Sequence, residues 1–172
     1  MEEQPLMVFT IGEKPPTLRT LLVALQREGY PIGFGTGIAG EAELEELEDR
    51  DWDSIFVRWN EPELHEVALL VKSICKEEHE AESLRQNVIR RIQNSDDEAG
   101  KLIVTDHLRR TQDIYALELL PAILENDDHP AWEALDILLR VLAEQTEGLI
   151  FAEGEGFCGA DGEMILEESD GE

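Results

Sequence analysis

The side chains able to do chemistry fall into a few small groups. Cys75 and His79 stand four residues apart, as do Glu61 and His65, the spacing at which two metal ligands share one helix face. A zinc centre needs three or four converging ligands, and no third follows at a recognisable spacing. Cys75 also falls on an apolar stripe, where a small buried thiol is ordinary. Neither a metal nor a cofactor is therefore expected. Asp106-His107 and Asp127-Asp128-His129 set carboxylates beside imidazoles. Acid–base work would need them to converge in a pocket, and helix capping accounts for the turn acids more simply. Arg90-Arg91 and Arg109-Arg110 are the paired basic spots, and in so acidic a chain they read as ion-pair partners. Cys158 lies between Phe157 and Gly159 in a loop. A reactive thiolate there would be opposed by Glu153, Glu155, Asp161 and Glu163, whose spacing does not follow the EF-hand pattern for calcium. No residue is assigned a catalytic role.

One motif points to a ligand. Gly35-Thr-Gly37-Ile-Ala-Gly40 has the spacing G-x-G-x-x-G, with which dinucleotide-binding folds bring backbone close to a pyrophosphate at a helix N-terminus. A short strand precedes it, a helical run follows, and Glu61 stands about 20 residues on, where a ribose partner belongs. The electrostatics oppose the match. Glu41 and Glu43 stand at the mouth where two phosphate charges would bind, and Glu45, Glu46 and Glu48 extend the repulsion. A flexible glycine loop is the simpler reading, with Gly35, Gly37, Gly40 and Glu61 kept as the candidate cofactor-binding residues.

Charge is the dominant global feature. Forty Asp and Glu face 14 Lys and Arg, for a formal charge of −26 over 172 residues. Such a field repels nucleic acid and anionic membranes, whose contacts are made chiefly by Lys and Arg. It suits a basic protein partner, or a solvated surface. Two cysteines form no disulfide framework, no apolar run reaches membrane-spanning length, and Met-Glu-Glu-Gln-Pro lacks the basic region of a signal peptide. A cytoplasmic protein is expected.

The elements that must position these residues follow from periodicity. Leu6–Ile11 reads as a strand, and a helix opens at Pro16-Thr17 with Leu18, Leu21, Leu22 and Leu25 on one face and Gly29 at its end. Tyr30–Phe34 returns as a short strand, with Pro31 suggesting an edge. Glu41–Asp51 reads as an acidic surface helix, and Ser54–Trp59 as a strand. From Asn60 the spacing of Leu64, Val67, Val71, Ile74, Ala81, Leu84, Val88 and Ile92 predicts one helix of about 45 Å, with a polar centre at Lys76–Glu80. That helix offers a seam for a homodimer, interrupted by Glu78 and Arg85. Lys101–Thr105 reads as a strand, and Asp106–Leu124 and Trp132–Leu142 as a helical hairpin. Gly148–Ala152 and Glu163–Leu166 close as a hairpin through an Asp161-Gly162 turn.

The expected architecture is α+β and a single domain, 1–172. A ferredoxin-like (split βαβ) antiparallel sheet over 6–105 carries the long second helix. A helical hairpin (106–146), a C-terminal β-hairpin (147–167) and a frayed acidic tail (168–172) follow. The expected function is non-enzymatic binding of a protein partner, with basic character as its specific form. The alternative is a small-molecule or nucleotide-binding enzyme that uses the Gly35–Gly40 loop.

Overall fold

The computed structural model describes residues 6–12, 16–35, 52–75 and 80–168. Among these residues eight strands form one sheet: β1 (Leu6–Thr10), β2 (Ile32–Phe34), β3 (Ser54–Trp59), β4 (His65–Ile74), β5 (Asp113–Leu119), β6 (Leu149–Ala152), β7 (Gly156–Cys158) and β8 (Met164–Glu167). Their order is β2-β3-β4-β5-β1-β6-β7-β8, and every neighbouring pair is antiparallel. Among the described residues five helices accompany the sheet: α1 (Leu18–Arg27), α2 (Glu80–Ile92), α3 (Glu98–Arg110), the single turn α4 (Pro121–Leu124) and α5 (Ala131–Thr146).

Alternation along the strands assigns two cores. Val8, Tyr115, Leu117 and Ile150 face α1 and α5, joined there by Leu18, Leu21, Leu25, Leu135, Leu138 and Leu142. Met7, Phe9, Ile114, Leu149 and Phe151 point to the opposite face, where α2 and α3 contribute Ala81, Val88, Ile92, Val104 and Leu108. Successive side chains of a strand point to opposite faces, so a central strand apolar on both faces is what a sheet between two helix layers requires.

Local signals explain the secure elements. Thr17 caps α1, its side chain accepting from the Thr20 N–H at 3.1 Å, and Gly29 beyond the C-cap takes φ 87°. Pro31 precedes the edge strand β2 as expected.

Three segments differ from expectation. The long helix does not form as one element: residues 65–74 are β4, held between β3 and β5, and among the described residues of the expected span 80–92 is helical. The helix proposed as a dimer seam is thus divided between a strand and a shorter helix. Lys101–Thr105 lies inside α3, where Asp97 caps the first turn and Gly100 approaches the backbone of β8. The helical run expected over 106–124 is instead the end of α3, then β5, then α4, so the helical hairpin is absent. At the C-terminus β6 and β8 do not pair with each other, because β7 lies between them. The molecule is a mixed α+β protein whose sheet is larger than expected and does not confirm the ferredoxin-like arrangement. The acidic helix expected over 41–51 lies outside the described residues.

Candidate functional site

The glycine motif is described only at its first residue; Gly37 and Gly40 lie outside the described residues. Gly35 follows β2, donates its N–H to Phe56 O at 2.6 Å, and has Phe56 Cβ 2.6 Å from where its own Cβ would stand. That close approach explains the glycine structurally. Glu61 is exposed beyond the other end of β3. Five residues separate it from Phe56, which places Gly35 and Glu61 about 17 Å apart along the ladder.

The remaining candidates are dispersed. Cys75 follows β4, and burial pushes its thiol up to about 11, against the opposing pull of Arg85. His79 lies outside the described residues. His107 sits on α3 and donates from Nε2 to the Phe9 carbonyl at 2.7 Å; burial holds its pKa down. Cys158 is likewise raised, first by burial and then by Asp136, Asp161 and Glu155, with Arg140 opposing. Neither thiol is tuned toward a nucleophile. Among the described residues no three His, Cys, Asp or Glu side chains converge as metal ligands. The far end of the α1/α5 core holds a different polar group. Tyr115 is fully buried there, its ring 5.7 Å from Trp52, and its hydroxyl has no hydrogen-bond partner among the described residues.

Two histidines from separate candidate groups do meet. His65 opens β4, and His129 ends the turn before α5; their Nε2 atoms are 2.8 Å apart. His65 Nδ1 lies 2.7 Å from the Glu63 carbonyl, and the Ala131 N–H donates to His129 Nδ1 at 3.0 Å. The second bond has a local cause. Pro130 occupies the N-cap of α5 and makes no side-chain cap bond, so the imidazole one residue earlier accepts from the first helical N–H. Trp59 presses edge-on against His129 at 5.8 Å and continues to Tyr30 at 6.3 Å, an aromatic row that seats the pair. Burial, then the neighbouring His65, hold His129 below the ordinary imidazole value.

The pair stands in an acidic pole. Glu61 and Glu63 precede His65; Glu125, Asp127 and Asp128 precede His129; Glu133 follows in the first turn of α5. All six are exposed. Leu64 and Leu124 supply exposed apolar surface on the same two turns, at 61% and 39%. Arg58, the base on the adjoining strand, is engaged by Glu66 at 3.4 Å. Comparison with protein-family models, with curated proteins and with solved structures finds no match. The imbalance extends through the chain that builds one half of the pole: from Thr111 onward 17 Asp and Glu face a single base, Arg140, which is itself paired with Asp136 at 3.1 Å. Both histidines stand out in the sequence, but their meeting does not, because 64 residues separate them. The one local sign was an Asp-Asp-His-Pro turn entering a helix without a capping side chain.

Proposed function

We propose that this protein is a non-enzymatic binding module that docks a basic segment of a protein partner on its acidic pole. The observation that carries this reading is the His65–His129 contact, which joins the turn bearing Glu61, Glu63 and exposed Leu64 to the segment bearing exposed Leu124, Asp127 and Asp128. A rim of carboxylates around apolar side chains fits a Lys- or Arg-rich segment that carries a few large apolar residues. The same field works against nucleic acid and anionic membrane, and no described helix is long and apolar enough to cross a membrane. The two free cysteines suit a reducing compartment, and we place the protein in the cytoplasm on that ground.

The test is titration with a Lys-rich amphipathic peptide at about 50 and about 300 mM salt. Affinity is expected to fall at least tenfold at the higher salt, because exposed charges act only within a Debye length of roughly 6–14 Å over that range. Undetectable binding, or binding indifferent to salt, overturns the reading. The alternative of a nucleotide-binding enzyme at Gly35–Gly40 has weaker support, since Gly35 and Glu61 flank opposite ends of the β2–β3 ladder. A stabilisation of about 2.7 kcal/mol by an adenine nucleotide at a hundred times its dissociation constant would restore it.

A further inference from the structure

We propose that His65 and His129 form a pH-operated latch, closed while both imidazoles are neutral and opened when both take a proton. It ties the start of β4 to the N-terminus of α5. The hydrogen bonds allow one arrangement of protons. The Ala131 N–H donates to His129 Nδ1 at 3.0 Å, so Nδ1 carries no proton and the neutral ring holds its proton on Nε2. That Nε2–H points at His65 Nε2, 2.8 Å away, which must accept. The proton of His65 is then on Nδ1, where it donates to the Glu63 carbonyl at 2.7 Å. Both ends of the chain are backbone groups, so neither histidine can exchange tautomers without breaking a bond.

Two further protons have no place in this chain. The one on His65 must enter at Nε2 and would set two N–H groups against each other across 2.8 Å. The one on His129 must enter at Nδ1, facing the Ala131 N–H. The two facing nitrogens also share one lone pair between them in this arrangement, which suits a hydrogen bond and does not suit a bridging metal ion.

The charged groups on these two turns and in the first turn of α5 are all exposed acids: Glu61 and Glu63 on the β3–β4 turn, Glu125, Asp127 and Asp128 on the α4–α5 turn, and Glu133 on α5. The Arg58–Glu66 pair on β3 and β4 is internally balanced, and burial, then the neighbouring His65, favours the neutral form of His129. Opening strips the first N–H of α5 of its acceptor and adds positive charge to the pole. Weakened hold on a basic partner in acid is therefore the consequence, and that consequence alone rests on the proposed function.

The deciding experiment is nitrogen-15 imidazole NMR on the full chain from pH 8 to pH 5, with His65→Gln and His129→Gln used to assign the rings. At pH 8 His65 should be the Nδ1–H tautomer and His129 the Nε2–H tautomer. Both should reach the imidazolium pattern in one joint transition, with the Ala131 amide moving alongside. His65 as the Nε2–H tautomer, or an Ala131 amide that stays still while the rings titrate, would overturn the latch. Oligolysine binding, measured at constant ionic strength, then tests the consequence. The wild-type chain should bind several-fold more weakly at pH 5.5 than at pH 8, and the His65→Gln/His129→Gln chain should show a flat profile. An equal pH dependence in both chains would overturn control of binding by the latch. No oligolysine binding at either pH would defeat the basic-partner reading, while the NMR result still decides the latch.

Discussion

His65 Nε2 and His129 Nε2 lie 2.8 Å apart across 64 residues of chain, and the bond between them links β4 to the entry of α5. A net hydrogen bond contributes about 1 kcal/mol. A double-mutant cycle of His65→Ala and His129→Ala, followed by denaturant unfolding, is expected to show about that coupling at pH 8. The sign with pH follows from linkage. His129 has a folded-state pKa below its unfolded value, so the unfolded chain binds the proton more tightly. Stability is then present above about pH 6.5 and falls as pH drops through it. His107 contributes in the same direction, but it is present in all four chains of the cycle and cancels. Coupling that persists unchanged at pH 5 would contradict the bond as described.

Gly100 is the point where α3 meets β8. A Cβ there would stand 2.6 Å from the Ile165 carbonyl oxygen and 2.5 Å from Oδ2 of the capping Asp97. Glycine to alanine within a helix ordinarily gains about 1 kcal/mol. At this position Gly100→Ala is expected to cost about 1–3 kcal/mol, since a strand backbone cannot withdraw cheaply. Chemical denaturation decides the sign, and a gain would contradict this packing.

Tyr115 has its hydroxyl buried without a partner among the described residues, and burial raises its pKa. A buried unsatisfied group costs about 1–3 kcal/mol, whereas the ring itself packs well. Tyr115→Phe is therefore expected to be neutral or to stabilise by about 1 kcal/mol. A loss above about 1 kcal/mol in thermal unfolding would reveal a hydrogen bond that the described residues do not contain.

Burial raises the Cys75 thiol from 9.0 to about 11. The lower thiolate population, partly offset by the greater nucleophilicity of a more basic thiolate, means that iodoacetamide should alkylate the folded chain at Cys75 about tenfold more slowly than an unfolded one at pH 8. Mass spectrometry of the native and urea-unfolded chain checks this. Equal rates would restore a reactive thiol to the list of candidates.

The parts legible in the sequence were those whose partners are local or whose pattern is unambiguous. Leu18, Leu21, Leu22 and Leu25 are all buried on α1, as their spacing indicates. Leu135, Leu138, Leu139 and Leu142 do the same on α5. Ile55, Val57 and Trp59 alternate inward on β3. The misread segments were settled by distant partners. Leu64, Val67, Val71 and Ile74 happen to fit a helical stripe, but β3 and β5 flank this segment and its backbone pairs with both. Asp113–Leu119 lies between β4 and β1, so its two apolar faces conceal the period of two. Lys101–Thr105 has strand composition, yet the Asp97 cap and the Gly100 contact place it in a helix with Leu102 72% exposed. The candidate site was legible as two separate acidic turns. Its convergence was not, because it depends on the sheet order that brings β4 beside α4 and α5.

The most direct test of a partner-docking acidic pole compares two charge-reversed chains of equal net charge. One carries Glu61→Lys, Glu63→Lys, Asp127→Lys and Asp128→Lys. The other carries Glu144→Lys, Glu147→Lys, Glu155→Lys and Glu163→Lys, exposed acids away from the two turns. Binding of the same Lys-rich amphipathic peptide is measured at one salt concentration. The account expects the first chain to lose at least tenfold in affinity and the second to stay within about threefold of wild type. Equal weakening of both chains would show that net charge alone attracts the peptide, and would contradict a docking site at this pole.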